Sequence, residues 1–271
     1  MRKMNNIFSI KRFSSYFLYD LRNAWRNFGL SLLVCGFIPL ITYFVVQIFS
    51  YIFDGSFIQD ATAVRITSLS IALMVVILAA PSKIYGRLTD RRAGKNFVLL
   101  PASVTEKFVS MMLILLVVLP VCLLILFCST DLLLSVLFPT NYGESLIALL
   151  PKLQEFNQTM AIDEGIQINM MGIATSSWVA SILAMLLGAV CFRKAKVAKT
   201  ILALILISIV AGMLTGFFFD VDYIEGLADK VYDLGPAYIV SAFNWFYSIM
   251  LAIQVIICAG GTFYRLKTIK L

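Results

Sequence analysis

The stretch FVSMMLILLVVLPVCLLILFCS, from Phe108 to Ser129, contains no charged residue. As a helix rising about 1.5 Å per residue it reaches roughly 33 Å, enough to cross a hydrocarbon core of about 30 Å. A core helix of a soluble domain is shorter and carries a polar face. Five further runs of this kind flank it, so the spans expected are 28–52, 66–84, 108–129, 174–191, 200–219 and 239–263. The whole chain agrees: 61% of its 271 residues are apolar and 14% are charged, with a mean hydropathy of +0.92. Soluble domains carry about 25% charged residues. The expected fold is therefore all-α, a polytopic membrane protein formed by residues 1–271 as a single transmembrane domain. Its six-span bundle covers 28–264.

Charge placement supports this division. Of the 22 Lys and Arg residues, all but Arg65, Lys152 and Lys230 fall in the N-terminal segment, the loops near 85–107 and 192–199, or the C-terminal tail. Twelve of the 15 acids lie in the alternate loops, the exceptions being Asp20, Asp90 and Glu106. Basic loops stay on the cytoplasmic side, which places both termini there and makes 53–65, 130–173 and 220–238 external. An odd number of spans scrambles the split. The net charge of +7 then reflects loops held against an anionic leaflet and calls for no nucleic acid. No ionisable residue falls in the middle of a span. Asp131 stands where the third span should emerge, and solvation accounts for it.

Residues 5–26 form no span. Ile7, Ile10, Phe13, Phe17, Leu18, Leu21, Ala24 and Trp25 recur at steps of three and four, with Lys11, Arg12, Ser15, Tyr19, Arg22 and Arg26 opposite. That pattern predicts an amphipathic helix lying in the membrane interface. Within the spans, Ala180, Ala184 and Gly188 form one small-residue face and Gly212-x-x-x-Gly216 another. Such faces admit close helix approach, within a protomer or between two. Pro39, Pro81 and Pro120 should each kink or end a helix.

Several chemistries are excluded. Without histidine there is no Ser-His or Cys-His nucleophile and no histidine-held metal. Cys35, Cys122, Cys128, Cys191 and Cys258 lack CxxC spacing and read as small apolar residues. Asp220, Asp222 and Glu225 lack the spacing of a calcium loop. Gly86 to Gly94-Lys95 does not fit a phosphate-binding loop, and Asn96 follows it. No catalytic residue, cofactor site or metal site is expected.

The most informative loop is SKIYGRLTDRRAGKNFVLLPASVTEKFV, Ser82 to Val109. A basic cluster precedes an apolar stretch, and Ser103-x-x-Glu106 could form a capping box that opens the third span. The loop reads either as a dock for a soluble partner or as a solvated basic loop ending in a helix start. Its segment LLPASVTEKF (99–108) resembles the one found at this place in permease subunits of ABC-2 type transporters, where an L-P-[AV]-S stretch precedes a basic residue, here Lys107. The N-terminal helix, six spans and internal termini resemble that family too. The resemblance implies an inner-membrane subunit of an ATP-driven exporter, acting with a second permease protomer and a cytoplasmic ABC ATPase subunit that hydrolyses the ATP. It implies that residues 86–106 couple to the ATPase, with Arg91, Arg92, Pro101 and Glu106 as exposed contacts, that 5–26 is an interfacial elbow, and that the second and fifth spans line a pathway. The external loop 130–173 is longer than in compact exporters. A non-transporting membrane scaffold or regulatory subunit is the alternative.

Overall fold

The computed structural model describes residues 8–57, 61–89, 94, 99–148, 161–162, 166–167, 170–218 and 236–268. Among these residues, apart from one two-residue antiparallel pairing, β1 Ala161–Ile162 with β2 Ile166–Gln167, the regular structure is helical. Five helical stretches of the described residues are long and apolar enough to cross a membrane: Ile10–Asp54, Thr62–Thr89, Val104–Leu137, Gly172–Cys191 and Asn244–Thr268. The expected fifth span, 200–219, is not among them. Its residues 200–218 belong to a 23-residue helix, Lys196–Phe218, whose last side chains lie outside the described residues, as does residue 219.

The chain divides into two compact units, 1–151 with 263–271, and 152–262. The first is a bundle of α1 (Ile10–Gly36), α2 (Ile38–Asp54), α3 (Thr62–Tyr85), α4 (Val104–Leu113) and α5 (Leu119–Leu137), with α6 (Pro139–Tyr142) closing one end. The joints follow from the prolines. Pro39 lacks the N–H that would continue the ladder of α1, and the helix breaks at Phe37 and restarts with Pro39 in its first turn. Thr130 on α5 donates its hydroxyl to the Gly36 carbonyl beside the break, at 2.9 Å. Helices meet closely here: a Cβ on Gly36 would stand 2.7 Å from Leu126 Cβ. Before Pro120 the chain forms a π-helical turn, Ile114–Val118, in which the Leu119 N–H reaches Ile114 O. The extra residue absorbs the missing donor without unwinding the helix. Pro81 lies inside α3.

The expected boundary between interfacial helix and first span does not appear as a break. Helix α1 passes straight through residues 26–28. The side chains facing its neighbours are Tyr16, Asp20, Ala24, Phe28 and Leu32, a four-residue stripe, while Ile10, Leu18 and Trp25 are exposed. The apolar periodicity of 10–25 thus does not mark the packed face.

Polarity in this unit is inverted relative to a soluble protein. Leu30, Ile48, Phe53, Ile125 and Val136 point outward, whereas Asp20, Arg65, Ser68, Glu106, Ser110, Thr130 and Asp131 are buried. Water would reward the opposite arrangement. Lipid outside the bundle rewards this one.

The second unit contains α7 (Met170–Cys191), α8 (Lys196–Phe218) and most of α9 (Pro236–Thr268). Helices α7 and α8 form a hairpin through residues 192–195, with Ala195 at φ +49°. Ala180 and Ala184 are buried, and a Cβ on Gly188 would stand 1.8 Å from Thr200 Oγ1. That glycine is therefore spent within the chain. Gly212 differs: a Cβ there would meet nothing within 4 Å. The surroundings of Gly216 lie outside the described residues.

Candidate functional site

The first unit holds two polar clusters, one at each end of an apolar seam. At the end bearing the start of α1, Ser103 caps α4. Its hydroxyl accepts from Glu106 N at 3.2 Å, and Ser103 N donates to Glu106 Oε2 at 2.8 Å, completing the predicted capping box. The other carboxylate oxygen reaches the start of α1: Oε1 accepts from Ser9 N at 2.9 Å and from Arg12 Nη2 at 3.1 Å. Burial alone would raise this carboxyl. The two backbone donors and the Arg12 guanidinium outweigh it and hold the carboxyl below the usual glutamate value.

Just beyond, Asp20 of α1 is buried against α3 and α4. Its Oδ2 accepts from Ser110 Oγ at 2.7 Å and from Tyr85 OH at 3.1 Å. Asp20 precedes the charge-free run that begins after Arg26. Burial pushes its carboxyl up to about 6, against the lowering effect of the two hydroxyls. A cavity of about 180 Å³ opens beside it, lined among others by Tyr16, Tyr19, Asn23, Arg26, Tyr85 and Arg87. An adjoining open groove is lined by Lys11, Arg12, Ser15, Tyr16, Tyr19, Leu100, Pro101 and Ala102.

The opposite end is organised by an ion pair. Arg65 at the start of α3 donates from Nε to Asp131 Oδ1 at 2.9 Å, and from Nη2 to the carbonyls of Tyr142 (3.2 Å) and Glu144. Asp131 also accepts from Tyr142 OH at 2.6 Å and from Leu146 N at 2.5 Å. The guanidinium carbon lies 4.4 Å from the centre of the Tyr142 ring. Asp131 has no exposed surface, so its expected solvation is corrected: its charge is balanced by Arg65 inside the fold. Gly143, at φ +77° and ψ −160°, makes the turn that brings 144–146 back onto the pair. Only glycine adopts that backbone freely.

These clusters act as a ruler. From Arg65 to Tyr85 along α3 is 20 residue steps, about 30 Å; from Ser110 to Asp131 along α4 and α5 is 21, about 31 Å. Two helices thus give one separation, and it equals a hydrocarbon thickness. Between the clusters the seam is filled by Ala72, Val76, Met111, Ile114, Leu115 and Leu123, all fully buried.

Of the residues proposed as ATPase contacts, Pro101 is exposed beside the basic-end groove. Glu106 is fully buried and engaged by Ser9, Arg12 and Ser103. It is a structural clamp, which corrects its assignment as an exposed contact. Arg91 and Arg92 lie outside the described residues, as do Asp220, Asp222 and Glu225. Asp20 and the Arg65–Asp131 pair were not singled out from sequence as site residues. A signal existed for each: Asp20 is the single acid among the six basic residues of the N-terminal segment, and Arg65 the single base of its loop. In the second unit a groove of about 490 Å³ runs between α7 and α9, with Thr175, Ser176, Asn244 and Ser248 on its walls. Among the described residues no three His, Cys, Asp or Glu side chains gather as a metal site.

Comparison with protein-family models, with curated proteins and with solved structures returns no match.

Proposed function

We propose that this chain is the membrane-spanning permease subunit of an ATP-driven exporter of the ABC-2 type, carried in the inner membrane with both termini and the loop 85–107 in the cytoplasm. Six spans follow from the charge split, with 200–219 as the fifth. A separate cytoplasmic ATPase hydrolyses the ATP, and a second permease protomer completes the transporter.

The observation that carries this reading is the double clamp at the basic end. Glu106 ties Ser9 and Arg12 to the head of α4, and Asp20 ties α1 to Tyr85 and Ser110. A force applied to the loop between α3 and α4 would therefore be delivered to both helices that flank it and to α1 together. That is what a coupling loop requires of its mounting. Pro101 and the groove beside it offer the contact surface, and Arg91 and Arg92 supply its charge.

One observation favours the alternative of a membrane scaffold or regulatory subunit. The seam of the first unit is closed by apolar side chains over the whole distance between its clusters. In the transporter reading the pathway consequently runs elsewhere, along outward faces of the second and fifth spans shared with the second protomer.

The test is a mild-detergent pull-down of the tagged chain from its native membrane, followed by mass spectrometry. The transporter reading expects a stoichiometric ABC ATPase, lost when Arg91 and Arg92 are both changed to Glu. Recovery without an ATPase, under conditions that hold a known ABC transporter together, overturns it in favour of the scaffold. An ATPase retained by the double variant overturns the coupling role of those arginines.

A further inference from the structure

The cavity beside Asp20 holds charges of both signs. At its floor Asp20 is 4% exposed, and its two hydrogen bonds both fall on Oδ2. No described residue donates to Oδ1. Tyr16, Tyr19 and Tyr85 stand around it. At the mouth are Arg26 and Arg87, both exposed, and neither forms an ion pair with a described residue. The floor thus suits a cation: a carboxylate oxygen with acceptor capacity to spare, among aromatic rings. The mouth suits a phosphate, which guanidinium groups bind in forked geometry. A simple anion would meet Asp20, and a simple cation would leave both arginines unanswered. A group carrying an ammonium and a phosphate a few bonds apart answers both. The cavity of about 180 Å³ has room for several waters. That admits an aminoethyl arm with the phosphate at the rim.

Depth identifies the source. The cluster lies one hydrocarbon thickness from Asp131 along two helices, which is headgroup level. Leu18, Trp25 and Leu30 on the same helix are exposed, and tryptophan favours that level. Lipid chains have apolar surface to follow beside the cavity.

We propose that this cavity is a headgroup site for an aminophospholipid of the phosphatidylethanolamine class, its ammonium donating to Asp20 and its phosphate held by Arg26 and Arg87. The site rests on the membrane placement of the chain and not on its coupling to an ATPase, so either can fail alone.

The full chain, purified in detergent and stripped of lipid, is titrated at pH 7.5 with phosphatidylethanolamine, phosphatidylcholine or phosphatidylglycerol, with binding read by native mass spectrometry and thermal shift. Soluble O-phosphoethanolamine forms a fourth arm. The expected result is preference for phosphatidylethanolamine by about tenfold, since a quaternary ammonium cannot donate to Oδ1 and a glycerol headgroup lacks the charge; a factor of ten corresponds to about 1.4 kcal/mol. Asp20→Asn should abolish the preference, and Arg87→Gln, an exposed change that leaves the buried packing intact, should weaken all phosphate-bearing ligands severalfold. Equal binding of the three lipids, or a preference indifferent to both variants, overturns the proposal. Saturation by O-phosphoethanolamine at the same concentration as the lipid overturns the lipid source and leaves a soluble phosphoamine as the ligand.

Discussion

Removing one member of the Arg65–Asp131 pair should cost far more than removing both. Asp131 collects Arg65 Nε (2.9 Å), Tyr142 OH (2.6 Å) and Leu146 N (2.5 Å), and Arg65 in turn binds the Tyr142 and Glu144 carbonyls. Both side chains are buried. In Asp131→Leu the guanidinium stays inside without a counter-charge, and in Arg65→Met the carboxylate does. Either change should destabilise by about 3–5 kcal/mol, the cost of an uncompensated buried charge. At roughly 2–4 °C per kcal/mol for a chain of this size, the midpoint should fall by roughly 10 °C. The double variant Arg65→Met with Asp131→Leu leaves neither charge behind, and well-packed apolar replacements of such pairs are often nearly neutral. It should be more stable than either single variant. Tyr142→Phe removes one hydrogen bond to a charged acceptor and should cost about 1.5–3 kcal/mol. The assay is loss of the monodisperse peak in fluorescence-detected size-exclusion chromatography after heating the detergent-purified chain. If the double variant loses the sum of the two singles, the charges are not compensating each other, and the account of this cluster is wrong.

At the other end the two buried carboxyls should respond to pH with opposite sign. Asp20, raised to about 6 in the fold, opposes stability above that pH, and the penalty fades as pH falls toward its ordinary value. In lipid-free detergent Asp20→Asn should therefore raise the melting temperature at pH 7.5 and change little near pH 4; a loss of stability at pH 7.5 would contradict this. Glu106 is held below its ordinary value, so its contribution is present at neutral pH and lost as pH drops through the lowered value. Glu106→Gln should destabilise at pH 7.5 and lose that deficit in acid. Ser103→Ala, which removes the cap of α4, should cost about 1 kcal/mol, read as a melting shift at pH 7.5. In the hairpin of the second unit, Gly188→Ala places its methyl inside the contact distance of Thr200 and should cost about 1–3 kcal/mol through overpacking. Gly212→Ala meets nothing and should be neutral or stabilising by up to about 1 kcal/mol from helix propensity. A similar thermal shift in both variants would refute the packing assignment.

How far these features could be read in advance differs with the range of the interaction. Spans 66–84 and 108–129 nearly coincide with the stretches between the two clusters, because scarcity of charge is a local property of the chain. The capping box was legible for the same reason: both partners lie within three residues. The Arg65–Asp131 pair bridges 66 positions and leaves no periodic trace. Read alone, Asp131 sits at a span end, where water is the obvious partner. The amphipathic pattern of 5–26 speaks to a membrane surface and not to packing within the bundle. A helix in lipid can expose its apolar side chains, so the stripe that packs is Tyr16, Asp20 and Ala24 instead of the largest hydrophobes. Neither did the change from polar to apolar near residue 27 mark a joint. The helix runs on through it, and Pro39 is what removes a hydrogen-bond donor.

The placement of charge in the first unit also bears on what can move. A charged side chain at the centre of a bilayer costs about 2.5–3.5 kcal/mol, and the cost falls toward the interfaces. Here the buried charges stand at the two ends, and the middle is close-packed by Ala72, Val76, Ile114 and Leu123. Such a core resists deformation, because opening it would expose the end clusters and leave voids in the seam. The bundle should therefore tilt or rotate as one body. Any conduit would form on its outer faces, where the side chains already face lipid and exchanging one apolar neighbour for another costs little. In the transporter reading, the double clamp then sets the point at which force from the cytoplasmic loop enters a rigid post.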